Sequence, residues 1–480
     1  MGRFALVASQ PKGYCIQSYI PLQGVQGRGV RHMSDTTGSG AASTAGMRTE
    51  DPLIGSGARG RTDQPAREHN IQELVAFIES GIKPADAPDR IGIELEHTVV
   101  REDGSPVSYA EDHGIAWLLG QLHETYPQGT FDEEGDLLGV ARSGEAVTIE
   151  PAAQVELSAG PFLSLHEAKR TFDNFENLLA EKLSPQGMKA LTVGYHPTAR
   201  AAELSLIPKR RYRFMNMYFN DRGPFGMRMM RGSASTQVSI DYHSVEDCLR
   251  KLRLAGAAGP LFALMCDNSP VFEGERRTHK LVRTRIWNEC DPDRCGIVPG
   301  SLSPDFTLER YAEYLLDTPA ILVPCRKEGC CYTERTFGDI YADLSMTRAQ
   351  VEHMTSMFFT DVRMKTYVEI RPADAMPIPY AIAYAALVKG LLTTEKGLDE
   401  MEALLGDVTE SDVVAAKEYL MARGYDAQVY GRGAADLCDR LMEIAAGQLS
   451  EEELPFLQPL ANLVERRTTL ADIAEEQLGR

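Results

Sequence analysis

Apolar positions along this chain follow two rhythms, and the change between them marks its elements. Period two appears first at residues 90–97, RIGIELEH, where Ile91, Ile93 and Leu95 alternate with Glu94 and Glu96. Strand side chains alternate between faces, so this pattern predicts one buried apolar face. The two glutamates share the other face, about 7 Å apart. AVTIEP and AAQVELSAG predict two further short strands broken at Pro151, and MKALTVGYHP, STQVSIDYH and TYVEIRP (366–372) read the same way. The last of these puts Tyr367, Glu369 and Arg371 on one face.

The helical period governs other segments. EHNIQELVAFIESGIKP (68–84) keeps Ile71, Leu74, Val75 and Ile78 in step until Gly81 and Pro84 stop it. GIAWLLGQLHETY is a second helix. SLHEAKRTFDNFENLLAEKL follows with Ser164 and Glu167 as a capping box. SVEDCLRKLRLAGAAGPLFALMC starts at a Ser244 cap. From about residue 380 the pattern is nearly all helical, with Ser411 expected to cap SDVVAAKEYLMARG and Gly424 to end it. No internal repeat is visible. Strands and helices mix without regular βαβ alternation, which predicts an α+β fold with a mainly antiparallel sheet and a helical C-terminal region.

Composition narrows the function. The chain has 480 residues, 43% of them hydrophobic, and a formal charge of −19 with no basic run interleaved with aromatics. Nucleic-acid binding needs clustered Lys and Arg and a membrane span needs about 18 consecutive apolar residues; the sequence has neither. Nine scattered cysteines fit reduced thiols better than a disulfide scaffold. Residues 1–65 are rich in Gly, Ser, Thr and Ala, carry no acid before Asp35, and read as disordered. An acid-poor, Arg-containing start fits an organelle transit peptide. A misplaced start, with Met33 or Met47 as the true first residue, fits equally.

Paired glutamates repel, raising each other's pKa unless water or a cation offsets them. Glu94 with Glu96, Glu150 with Glu156, and Glu369 all fall on strand-like segments. Carboxylates gathered on one sheet face suit Mg²⁺, which takes oxygen ligands and leaves places for substrate phosphates. The plainer alternative is a solvated strand face, with Glu369 and Arg371 as a surface ion pair. Arg211 beside Tyr212, and Arg283, Arg285 and Arg294 around Trp287, supply planar forks for carboxylate or phosphate; balancing an acidic surface would use them equally well. The sequence lacks a GxxxxGK[ST] loop, a GxSxG elbow and an HExxH pattern. Cys290, Cys295, Cys325, Cys330 and Cys331 lack the CxxC pairs of usual zinc sites; redox coupling of two of them is the other reading.

Several segments together resemble a family. IGIELEH, TIEPAAQVELSAGPFLSLHE, PKRRYRFMNMYF, TQVSIDY, CDNSPVFEG, RTRIWNECDPDRCG and MKTYVEIRPAD are similar, in order over roughly residues 88–395, to motifs of glutamate–cysteine ligases of the plant and actinobacterial type. The resemblance implies a glutamine-synthetase-like fold, in which an antiparallel sheet forms an active-site funnel for ATP, divalent ions and glutamate. It implies a catalytic domain over 66–395, with 396–480 as a helical region packed on it. The implied reaction is ATP-dependent joining of the γ-carboxylate of L-glutamate to the amine of L-cysteine, the first step towards glutathione or a related thiol.

Carried over by motif, Glu94, Glu96, Glu150, Glu156 and Glu369 are the implied ligands of Mg²⁺ or Mn²⁺. Arg211, Tyr212, Arg283 and Gln154 are implied for substrate, and Arg294 and Arg371 are placed near phosphate. The family's Gly-Gly after Glu-Pro is Ala152-Ala153 here, and Gly232 stands where some members carry an arginine. A cytoplasmic monomer or homodimer acting on small molecules is expected, with no nucleic acid or membrane partner. The rival readings are a ligase for another acid or amine, a metal-dependent hydrolase, and a non-catalytic nucleotide- or metal-binding regulator.

Overall fold

The strand β1, Ile91–Arg101, lies at the centre of the fold. The computed structural model describes residues 66–132, 134–325 and 329–478; the expectations for residues 1–65 lie outside them. Helix α1 (Ala66–Glu79) precedes β1 and helix α2 (Ile115–Leu122) follows it. Strands β2 (Gln128–Phe131), β3 (Leu137–Arg142), β4 (Glu145–Ile149) and β5 (Val155–Phe162) form a meander that returns to β1. Helix α3 (Leu165–Leu183) leads to β6 (Met188–Leu191), which pairs with the far end of β1. Helices α4 (Arg210–Arg222) and α5 (Gly226–Gly232) precede β7 (Thr236–Ile240), which pairs with β1 on the side away from β5. Strands Val362–Met364 and Val368–Ile370 complete a nine-stranded sheet beyond β7, every pairing antiparallel.

Register explains the two faces. Residues directly opposite across a sheet share a face. Ile93 lies opposite Ala159 and Val238, and Leu95 opposite Leu157 and Thr236. This apolar face is covered by α3, by α6 (Val245–Met265) and by helix Ile378–Leu392. Ile93, Leu95, Leu157 and Val238 are at most 1% exposed. The later helices, from Glu395–Leu405 to Gln458–Glu465, pack on α6, on helix Ile378–Leu392 and on one another, and helix Leu470–Leu478 follows them. The last is fastened by Arg277, which bonds Asp267, Asp472 at 2.6 Å and Glu475 at 3.0 Å. No helix among the described residues is long and apolar enough to cross a membrane.

Three local expectations change. The cap of helix Glu410–Arg423 is Thr409, not Ser411: its hydroxyl accepts from Asp412 N, and the Asp412 side chain accepts from Thr409 N in return. Ser164 caps α3 by accepting from His166 N, without the reciprocal bond from Glu167. The cysteines include one disulfide, Cys325–Cys331. In the hairpin of Pro319–Cys325 with Gly329–Thr336, Val323 faces Cys331 and Cys325 faces Gly329. The two cysteines are thus diagonal neighbours with Cα atoms 5.7 Å apart, within disulfide reach. No group of three or more His, Cys, Asp or Glu among the described residues is arranged to hold a metal ion by itself.

Candidate active site

The polar face of the sheet forms the floor of a cavity of about 100 Å³. Glu96 of β1 lies directly opposite Glu156 of β5, which in turn faces Thr148 of β4; Glu94 faces Ser158 and Gln237. One sheet face therefore gathers three carboxylates. Glu150 joins them from the turn after β4, where Glu150 N bonds Gln154 O and Ala153 N bonds Glu150 O, each at 2.9 Å. Helices α4 and α7 (Val282–Asn288) close the cavity with Lys209, Arg211, Tyr212, Arg283 and Trp287. Ser356, Phe359, Arg363 and Arg371 complete its rim.

This face is not a solvated strand surface. Glu96 and Glu156 are only 8% and 4% exposed. Burial, and then the charge of Glu150, raise the Glu96 pKa to about 7, although Ser235 Oγ donates to it at 2.7 Å. Burial and the charges of Glu94, Glu150 and Glu96 push Glu156 well above the usual carboxylate range. Glu94 is raised by burial and by Glu369. None of Glu94, Glu96, Glu150 and Glu156 makes an ion pair with a described residue.

Glu369 departs from the expected role. It is fully buried, and although burial pushes its pKa up, Arg363, Lys365 and Arg371 hold it well below the usual range. Arg363 Nε donates at 2.6 Å and Arg371 at 3.1 Å to one oxygen, and Lys365 Nζ at 3.0 Å to the other. It lies behind the cavity wall and organises the cations that face inward. Arg371 does line the cavity, where it also donates to Gln237 Oε1.

Arg294 lies outside the site. It is completely buried, with Nε on Asp291 at 2.7 Å and its other nitrogens on Met357 O, Tyr218 Oη and Pro319 O. All three nitrogens are engaged in joining segments, and the side chain is enclosed away from the cavity. Gln154 lines the cavity, but its side chain accepts from Ala152 N and donates to Ser233 O and Arg231 O. It holds backbone in place.

Two arginines are different. Arg283 is 4% exposed, and its terminal nitrogens bond the carbonyls of Arg371, Pro372 and Ala373. Its Nε has no partner, and it makes no ion pair with a described residue. Arg211 donates to Ser356 O at 3.0 Å and Ser356 Oγ at 3.2 Å, likewise without a carboxylate partner among the described residues. Tyr212 reaches Glu150 Oε2 only at 3.5 Å. The cavity thus sets unneutralised carboxylates against cations that lack carboxylates.

The donor set suits a hard divalent cation. Oxygen ligands on a desolvated, mutually repelling wall favour Mg²⁺, and the lack of a complete protein cage matches an ion that borrows ligands from a substrate's phosphates. Reading the sequence missed Lys209, Ser235, Gln237, Ser356, Arg363 and Lys365. Gln237 and Arg363 sit at alternate strand positions and were legible as companions of Glu94 and Glu369. Ser356 carries no local signal.

A profile of glutamate–cysteine ligase family 2 matches residues 90–476. The chain belongs to that family. It is 27% identical over 413 residues to the chloroplastic glutamate–cysteine ligase B of Oryza sativa subsp. japonica, covering 84% of this chain and 82% of the relative. It is 29% identical over 358 residues to the chloroplastic glutamate–cysteine ligase of Arabidopsis thaliana, covering 73% and 67%. A glutamate–cysteine ligase from Francisella tularensis, solved in complex with AMP, aligns with a TM-score of 0.51 at 13% identity, over 80% of this chain and 83% of that one. At that identity the likeness is one of fold. The protein is an enzyme of the ligase class.

The two departures from the family motif now have a setting. Ala153 is buried with φ at +68°, a backbone region natural to glycine and costly for alanine. A Cβ at Gly232 would collide with the Tyr195 ring, so an arginine at this position has no room.

Proposed function

We propose that the cavity makes γ-glutamylcysteine through γ-glutamyl phosphate, with ATP as co-substrate and Mg²⁺ held by Glu94, Glu96, Glu150 and Glu156. What supports this reading is the opposition of unpaired buried carboxylates and carboxylate-free arginines in one cavity. When bound, Mg²⁺ neutralises charge on the phosphates. Arg283 and Arg211 take carboxylates of glutamate as bidentate forks. Arg371, oriented by Glu369 and Gln237, offers its charge to the phosphoryl group in transfer. The terminal phosphoryl group passes to the glutamate side-chain carboxylate and ADP leaves. The neutral amine then attacks the acyl carbon; a C–N bond forms, the C–O bond to phosphate breaks, phosphate departs with the electron pair, and the nitrogen gives up one proton, which the departing phosphate or water takes. Positioning and charge screening suffice, so no Ser or Cys nucleophile is needed.

The test is purified protein with ATP, Mg²⁺, glutamate and a panel of amines, reading ADP and product mass. Cysteine-dependent ADP release with a γ-glutamylcysteine product is expected. ADP release with a different amine product reassigns the second substrate. Hydrolysis that needs no ATP overturns the reading in favour of a hydrolase.

A further inference from the structure

Helix Glu410–Arg423 buries a lysine. Lys417 is 6% exposed, and an ammonium taken out of water needs a partner. Its Nζ lies 2.6 Å from Asp361 Oδ2 and donates to Asn288 Oδ1 at 3.1 Å. One turn further on, Met421 O accepts from Lys280 N at 3.0 Å. Two successive turns of this helix therefore hold both ends of α7, the helix that brings Arg283 and Trp287 to the cavity. Asp361 is tied to the site as well, because its carbonyl receives Arg371 N at 2.9 Å.

The surroundings of this ion pair give it a consequence for the site. Asp361, Lys417, Arg283 and Arg371 line one recess of about 20 Å³, room for a single water. Arg371 is held by Glu369 and Gln237. Arg283 has backbone carbonyls for its terminal nitrogens and nothing for Nε. Burial lowers the Arg283 pKa, and the charges of Asp374, Glu96 and Asp361 act to raise it, so the field of Asp361 reaches this guanidinium. Asp374 already accepts from Asn268 N at 2.9 Å and from Ser269 Oγ at 2.7 Å, and Glu96 from Ser235. A buried carboxylate that loses its ammonium is uncompensated and attracts the nearest cation without a carboxylate. For Asp361 that cation is Arg283.

We propose that Lys417 is a positioning residue: by occupying Asp361 it leaves the Arg283 guanidinium available to a carboxylate of glutamate. The proposal rests on the role given to Arg283 above. It makes the helical C-terminal region a contributor to the site, through a residue that does not itself meet substrate.

The experiment compares the KM values for glutamate and ATP. Lys417→Met keeps the length of the side chain and removes its charge. It should raise the KM for glutamate by ~10-fold or more, while that for ATP moves by less than about threefold. Adding Asp361→Asn removes the competing carboxylate and should return the glutamate KM to within about twofold of wild type, although the bond to Asn288 stays lost. A lysine that served the fold alone would lower the melting temperature without this rescue. Asn288→Asp decides if Lys417→Met lacks a cooperative melting transition. It offers Lys417 a second carboxylate, should raise the glutamate KM in the same direction, and Asp361→Asn should cancel the rise. Wild-type protein that joins no amine to glutamate defeats the ligase reading and this proposal with it, and an unchanged glutamate KM in Arg283→Lys defeats the role of Arg283. Where both of those hold, a glutamate KM unmoved by Lys417→Met and Asn288→Asp, or moved and not rescued by Asp361→Asn, overturns the proposal.

Discussion

Glu96 links stability and activity at the scale of a residue. Its pKa is about 7 in the folded protein against 4.5 ordinarily. A raised folded pKa means that the stability is full below about pH 4.5 and is lost as pH rises through about 7, by about 3 kcal/mol for this one group. Metal-free protein should therefore melt lower at pH 8 than at pH 5, and Glu96→Gln should flatten that difference. The same variant should lose activity by ~100-fold, because a carboxylate placed for a cation is gone. Melting curves across pH, with turnover at limiting Mg²⁺, check both halves; a variant that keeps its turnover removes Glu96 from the site. Arg283→Lys retains charge but not the fork. It should raise the KM for glutamate more than that for ATP, and steady-state kinetics with each substrate varied would show it. At Ala153, a glycine should relieve the left-handed backbone and stabilise the protein by about 1 kcal/mol, read in denaturant melts.

Among the elements, Arg294 shows how a motif arginine can serve the site from outside it. Its bonds tie α4 through Tyr218, the loop carrying Asp291, the hairpin strand at Pro319 and the segment at Met357. That last segment positions Ser356, which holds Arg211, and Phe359, which lines the cavity. Arg294→Met leaves Asp291 buried without its partner and should cost about 3–5 kcal/mol. Adding Asp291→Asn should recover part of the loss, as a double-mutant cycle by thermal melts would measure. Loss of kcat with an unchanged melting temperature would instead return Arg294 to the chemistry. The period-two pattern of β1, β5 and β7 made the sheet legible in the sequence, because alternation depends only on neighbours along the chain. The cap of helix Glu410–Arg423 was misplaced by two residues because Thr409 and Ser411 offer the same hydroxyl chemistry.

For the whole molecule, the described body is anchored from its first helix. Asn70 bonds the carbonyls of Tyr341 and Leu344 and receives Met346 N, while Leu74, Phe77 and Ile78 are buried. A chain lacking residues 1–65 should keep its activity and its melting temperature within about 2 °C, whereas a cut through residue 86 removes these contacts and should lower the melting temperature by several times that, about 5–10 °C. Calorimetry and ligase assays on both truncations test it. The sequence by itself determined six of the nine strands of the sheet, the apolar face of the central ones, the order of motifs and hence the family, since side-chain period and residue type are local properties; Gln128–Phe131, Leu137–Arg142 and Val362–Met364 were not read from it. Only the tertiary structure decided what the opposite face of the sheet meets. Arg211 finds Ser356 across 145 residues, Arg363 turns Glu369 away from the cavity, and Arg294 is enclosed by segments far from it in the chain. Whether a glutamate meets water, a cation or another glutamate depends on burial and on charges contributed by distant segments, and these arise only when the chain has closed around them.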